Sequence, residues 1–252
     1  MTRLAERALD IIDAVALRNS CSLVELAQVC GLPVSTAQRI VNVLITRGYL
    51  VAEQRACYRL GIQCGELGRA FSFHAYLGQI ARRTLEALAK QARAHAHLAV
   101  LEDEMVTYLG KQRYGRTNVH SQVKMQFEGY CTAIGKVLLS NLPREELRSF
   151  LDGGGFVALT PRTITDAVTL GAHLDVIRSQ GWALEVGETI VDLMCLAVPL
   201  RDQAGRVRAA ISLSVIDKNL REETLLSRLP ILTSAAIKLE LKAFPKTATQ
   251  IS

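Results

Sequence analysis

Residues with base-reading chemistry crowd one short segment. Ser35, Thr36, Gln38, Arg39 and Asn42 interleave with the apolar set Ala37, Ile40, Val41, Leu44 and Ile45. The apolar positions fall at i, i+3, i+4, i+7 and i+8, so the segment 34–47 is predicted to be a helix that buries one face and offers the other. Laid in a duplex major groove, Gln or Asn pairs bidentately with adenine and Arg with guanine, while Ser and Thr near the helix start hold phosphates. Arg47 ends this helix, and Arg55 sits at the tip of a following hairpin, both placed to meet a phosphate backbone. A polar helix face is also ordinary solvated surface, so the elements around it must decide.

A second group lies in the C-terminal half. Thr132 opens a helix whose free amides and positive dipole end favour an anion such as a carboxylate. Ser212 and Ser214 alternate with Ala210, Ile211, Leu213 and Val215, so both hydroxyls leave one face of a strand, toward a ligand or simply beneath a helix. Cys195 as a nucleophile requires a base that makes it a thiolate, and none of the five histidines stands in a context identifying that partner; it reads better as a small pocket-lining residue. His95 and His97 face one side of a predicted strand, where a metal would reach both, but no further ligand is recognisable and they read as satisfied or exposed. Gly153-Gly154-Gly155 lacks the Gly-Lys-Ser/Thr of a phosphate loop and reads as a turn.

The elements that must position these groups follow from pattern. Leu4, Ala8, Ile11, Ile12 and Val15 predict a helix over 3–17. Ser22 with Glu25 three residues on is a capping box, opening a second helix that Gly31 stops. After the third helix, 49–52 and 57–60 read as a hairpin, and three helices with a hairpin spell a winged helix-turn-helix. Gly65, Gly68 and Gly78 suggest a linker helix near 64–77 and another helix at 79–94. Strands are predicted at 96–101, 105–111 and 114–120, a helix from Thr132, a helix over 166–180 ended by Gly181, strands at 182–186, 195–201 and 207–216, and a final helix from Glu222 to Ala243 containing Pro230. The fold class is α+β, with domains expected at 1–62, a linker at 63–78 and a second domain at 79–252.

Composition bounds the rest. A chain of 252 residues with 49% apolar and 21% charged residues buries a sizeable core, which excludes extended disorder. No apolar run approaches the roughly 18 residues of a membrane span, and the charged start Met1-Thr2-Arg3-Leu4-Ala5-Glu6-Arg7 is unlike a signal peptide, so a cytoplasmic protein without a membrane partner is expected. Six dispersed cysteines with no C-x-x-C pair argue for reduced thiols. The net charge of +6 permits a polyanionic partner without requiring one, and residues 1–65 carry seven arginines, no lysine and five acids. No motif specifies a cofactor or a resident metal.

Together these motifs resemble the IclR-type bacterial transcriptional regulators over nearly the whole chain. Arg7-Ala8-Leu9-Asp10-Ile11-Ile12 is similar to the opening helix, Leu26-Ala27 through Gly31-Leu32-Pro33-Val34-Ser35-Thr36 and Arg39 to the helix-turn-helix, and Gly48-Tyr49 with Tyr58-Arg59-Leu60-Gly61 to the wing. Thr132-Ala133-Ile134-Gly135-Lys136, Leu159-Thr160 with Thr163-Ile164-Thr165, Ile177-Arg178 with Gly181-Trp182-Ala183, and Cys195-Leu196-Ala197-Val198-Pro199 match in order. The resemblance implies a linker helix to a GAF-like α/β effector-binding domain, operator DNA as partner, a homodimer and often a dimer of dimers. It places the effector pocket on Val119, Phe127, Ala133, Ile134, Glu185, Leu193, Cys195, Ser212 and Ser214. Phe127-Glu128-Gly129 and Tyr130 depart from the family's Leu-Pro-Leu, placing bulk and a carboxylate near the entrance, and Asp192 replaces a common glycine. Glu185, Glu188 and Asp192 would repel a dianion or hydrogen-bond a hydroxyl or amine. The function expected is a sequence-specific DNA-binding regulator, not an enzyme, modulated by a small organic or aromatic acid; the alternative is a cysteine- or metal-dependent enzyme or redox sensor on the C-terminal domain.

Overall fold

The computed structural model describes residues 2–116, 119, 121–219 and 221–245. Its chain separates into two compact units, divided between Ser72 and Phe73.

The first unit begins with α1 (Thr2–Arg18), a two-residue strand β1 (Cys21–Ser22), α2 (Leu23–Val29) and α3 (Val34–Thr46). Ser22 and Glu25 close the capping box, Ser22 N–H donating to Glu25 Oε2 at 2.7 Å and Glu25 N–H to Ser22 Oγ at 3.3 Å. Across Cys30–Pro33 the chain turns by 111° from α2 to α3, within the range of a helix-turn-helix. Strands β2 (Leu50–Ala52) and β3 (Cys57–Leu60) form the wing, with β3 between β1 and β2. The stripe Ala37, Ile40, Val41 and Leu44 is buried against Ile11, Val15, Leu26 and Tyr58. A last helix, α4 (Ile62–Ala70), follows the wing.

The second unit opens with α5 (Phe73–Ala92) and is built on a six-stranded antiparallel sheet. Its strands are β4 (His95–Glu102), β5 (Met105–Gln112), β6 (Gln126–Glu128), β7 (Ala183–Val186), β8 (Leu193–Arg201) and β9 (Val207–Ile216), in the order β6-β5-β4-β9-β8-β7. Helices α6 (Ala133–Ser140), α7 (Arg144–Gly153) and α8 (Ala167–Gln180) lie in the chain between β6 and β7, and α9 (Glu222–Leu226) and α10 (Leu229–Ala243) follow β9. Alternation along the strands sorts their side chains. Ala96, Leu98, Met194, Leu196, Ile211 and Leu213 pack with α5 and α10, whereas Ala99, Ala197 and Ala210 pack with α6 and α8. This is the expected α+β class, a helix-turn-helix followed by an α/β domain.

Several expectations are corrected. The helix expected from residue 79 begins at Phe73, and the single linker helix is instead α4 and the start of α5 with residues 71–72 between them. Gly78 does not stop α5: a Cβ there would meet Leu109 O at 2.9 Å, so its glycine permits close approach to β5. No strand is found at 114–116, while residues 117, 118 and 120 of that expected strand lie outside the described residues; the edge strand is β6. The final helix is two, because Pro230 has no amide to continue α9 and instead sits in the first turn of α10. No single described helix is long and apolar enough to cross a membrane.

Candidate functional site

On α3 the buried stripe forces the polar face outward. Ser35, Arg39, Asn42 and Arg47 are exposed, and Thr36 and Gln38 half-buried. Gln38 Nε2 donates to Asn42 Oδ1 at 2.8 Å, one helical turn on, which holds both amides on the open face. Pro33 is the N-cap and no side chain caps the helix start. Arg55 lies in the turn between β2 and β3, and its side chain is outside the described residues. The arrangement suits a groove-reading helix flanked by phosphate contacts.

In the second unit all nine residues expected around an effector line one cavity of about 80 Å³. At roughly 10–15 Å³ per water, that space suits a small molecule of a few heavy atoms or one ring. Its floor is the α6-facing side of the sheet. In-register pairing sets Glu185 opposite Cys195, Cys195 opposite Ser214 and Ser214 opposite His95, one row across β7, β8, β9 and β4. Its roof is the N-terminus of α6, with Thr132 as N-cap accepting Gly135 N–H at 3.0 Å. Gly135 allows this helix start to sit where it does, since a Cβ would meet Gly129 O at 2.2 Å.

The electrostatics differ from what the acids alone suggested. Glu185 is fully buried and desolvation lifts its carboxyl to about 7; its Oε1 accepts Glu188 N–H at 2.5 Å and Thr189 N–H at 3.1 Å. Glu185 Oε2 has no hydrogen-bond partner among the described residues. Glu188 is ion-paired with buried Lys136. Asp192 does not line the cavity. The expected repulsion of an anion is therefore largely removed: one acid is half neutral near pH 7, one is paired and one is elsewhere.

Glu128 and Tyr130 are not among the residues that line the cavity, whereas Phe127 is. Tyr130 is buried against Phe156, its hydroxyl donating to Val157 O at 2.8 Å. Sequence reasoning missed His97, Tyr108, Ser121, Leu159, Thr189 and Ile190, which complete the wall. His97 Nε2 lies 3.0 Å from Ser121 Oγ and its Nδ1 3.4 Å from Ser214 Oγ, and burial pushes it down to about 3, leaving it neutral. Tyr108 packs edge-on against both His97 and Phe127, with ring centroids at 5.3 and 5.6 Å. Alternation puts His97 on the face of Ser212, but only the β4–β9 register brings the two together.

Cys195 Sγ lies 3.1 Å from Ser214 Oγ, and burial raises its thiol well above the ordinary value, the reverse of what a nucleophile needs. Among the described residues no group of three or more His, Cys, Asp and Glu is placed to hold a metal ion.

Comparisons with known proteins match both units of the chain. The domain described as bacterial transcriptional regulator IclR C-terminal matches residues 73–241, and the IclR helix-turn-helix domain matches residues 4–54. The chain is 30% identical to the HTH-type transcriptional regulator KdgR of Escherichia coli over 231 residues, 91% of this chain and 88% of that one. It resembles the crystal structure of an IclR homolog from Microbacterium hydrocarbonoxydans complexed with 4-hydroxybenzoate, with TM-score 0.62 and 25% identity over 95% of this chain and 98% of that one. It is also similar to a double mutant of the inducer-binding domain of the Acinetobacter transcription factor PobR with 3-hydroxybenzoic acid, with TM-score 0.61 and 27% identity over 66% of this chain and 98% of that one.

Proposed function

The chain belongs to the IclR family of bacterial transcriptional regulators, and from that premise we propose how its two units read DNA and sense a ligand. It is a DNA-binding regulator with a C-terminal effector-binding domain, and its named relatives regulate transcription rather than catalyse.

In this reading α3 enters the major groove. Gln38, Arg39 and Asn42 meet base edges, Ser35 and Thr36 hold the nearer phosphates, and Arg47 and Arg55 the flanking backbone. A single recognition helix spans few base pairs, so the operator is an inverted repeat bound by a homodimer, assembling further as a dimer of dimers in the cytoplasm. Exposed Leu9 and Leu17 on α1 and Ile62 and Leu67 on α4 support that assembly, since a lone chain leaves them in water.

The effector is a small organic acid, aromatic or hydroxylated. Its carboxylate meets the first amides of α6, at Ala133 and Ile134, and its polar groups meet Ser212, Ser214 and Glu185. The observation that carries this is one cavity in which a helix N-terminus faces hydroxyls and an acid half neutral near pH 7. The 4-hydroxybenzoate and 3-hydroxybenzoic acid of the two similar structures match that chemistry.

Ligand and DNA are coupled because the effector favours one conformation, and the coupling is reciprocal. Gel shifts of the full chain on its upstream DNA, with a panel of small aromatic and hydroxy acids, test it. An acid that shifts operator affinity and binds more weakly to the Ser212→Ala, Ser214→Ala variant supports the placement. Equal binding by that variant makes the serines packing residues.

A further inference from the structure

A second cavity, of about 380 Å³, opens where β4, β8 and β9 meet α9 and Arg228, the residue before α10. Among the described residues, Arg93, Arg221 and Arg228 line it against one carboxylate, Asp217. That carboxylate is already engaged, accepting from Arg221 Nε at 3.1 Å and from Asn219 N–H at 3.0 Å. Arg228 Nη1 is buried and has no hydrogen-bond partner among the described residues.

A guanidinium keeps its charge at any physiological pH, so it cannot relieve burial by losing a proton. Buried donors in folded proteins are paired almost without exception, and an unpaired one beside two further arginines has the chemistry of an anion receptor. Met194, Ile216 and Leu225 give the same cavity an apolar wall, which a bare inorganic ion would leave unused.

We propose that this cavity binds a small organic oxyanion, a carboxylate or phosphate monoester, with its charged group on Arg228 and its apolar part against Met194 and Leu225. It is a ligand site separate from the effector cavity. The two meet at one residue, for Ser214 lines both, pairs in register with His95 of the second cavity, and holds Cys195 and His97 of the first. Any effect of the second ligand on the effector rests on the effector reading above; the second site itself does not.

Calorimetric titration of the full chain with phenyl phosphate tests the site, and inorganic phosphate tests its apolar half. We expect saturable binding of phenyl phosphate that Arg228→Met weakens by at least about tenfold, the loss of one charge-assisted hydrogen bond. Inorganic phosphate should bind more weakly than phenyl phosphate, and equal affinity would remove the apolar wall from the proposal. Glu185→Gln, which takes the negative charge out of the effector cavity, separates the two sites. A probe on Arg228 keeps its affinity within about twofold, whereas a probe in the effector cavity tightens and ignores Arg228→Met. That second pattern overturns the proposal, as does no binding up to roughly 10 mM. If Arg228→Met melts early, Arg93→Gln takes its place: it should weaken phenyl phosphate, and unchanged affinity there counts equally against the site.

Discussion

Cys195 Sγ lies 3.1 Å from Ser214 Oγ, across directly paired positions of β8 and β9. The contact is the centre of a row that runs from Glu185 through Cys195 and Ser214 to His95, and the first three of these put carboxyl, thiol and hydroxyl on the wall of one cavity. Small side chains here leave room under α6, and their polar atoms give that room its selectivity.

Ser212→Ala and Ser214→Ala should each weaken the effector up to about tenfold, the worth of a neutral hydrogen bond, while leaving operator affinity without ligand unchanged. Calorimetry and fluorescence anisotropy read the two separately. Loss of operator binding in the absence of ligand would point to a packing role instead.

Glu185 makes stability and binding depend on pH. Its folded pKa of about 7 lies above the ordinary 4.5, so its stabilising contribution is complete below 4.5 and is lost as pH rises through 7. His97 acts oppositely: depressed from 6.5 to about 3, it contributes above 6.5 and loses that contribution as pH falls toward 3. The two offset one another between 4.5 and 6.5. Glu185→Gln removes only the first, so its stability relative to wild type should climb by on the order of 3 kcal/mol between about pH 4 and 8 in urea unfolding. Carboxylate binding should weaken above pH 7 in wild type and stay flat in the variant. Parallel profiles in both proteins would show that Glu185 does not titrate in this range.

Arg39→Ala should cost roughly 1–3 kcal/mol at one base pair and relax the preference there. Arg47→Ala should weaken all sequences alike and lower the salt slope by about 1. Binding-site selection and salt titration distinguish them, and an unchanged preference with Arg39→Ala would take that side chain off the bases.

Much of this was legible beforehand because the signals were local. The capping box at Ser22 and Glu25, the stripe on α3 and the N-cap at Thr132 each lie within one or two helical turns. The set of nine cavity residues follows from motif resemblance, and within it only Ser212 and Ser214 also follow from strand periodicity. What stayed hidden depends on register between distant strands. Nothing near His97 or Tyr108 tells that both line the cavity of Ser212, and nothing in Glu188 tells that Lys136, 52 residues earlier, neutralises it. The sequence pattern makes 222–243 one helix containing Pro230, whereas its missing amide separates two.

Gly135→Ala should lower the melting temperature markedly, because its Cβ has Gly129 O at 2.2 Å and the start of α6 must move. Effector binding should fall with it more than operator binding does. A variant with unchanged melting and effector affinity would show that the α6 start is free to shift.

If the effector's carboxylate rests on the first amide of α6, Ala133→Pro removes the group that receives it. Proline is tolerated at the first helical position, and Thr132 already has the extended backbone, φ −104° and ψ 143°, that a following proline requires. The substitution deletes one N–H and keeps the helix. Measured by anisotropy on operator DNA with a titrated acid, Ala133→Pro should bind operator as wild type does and need at least about tenfold more acid for the same response. If it responds at the wild-type concentration, the carboxylate does not sit at α6.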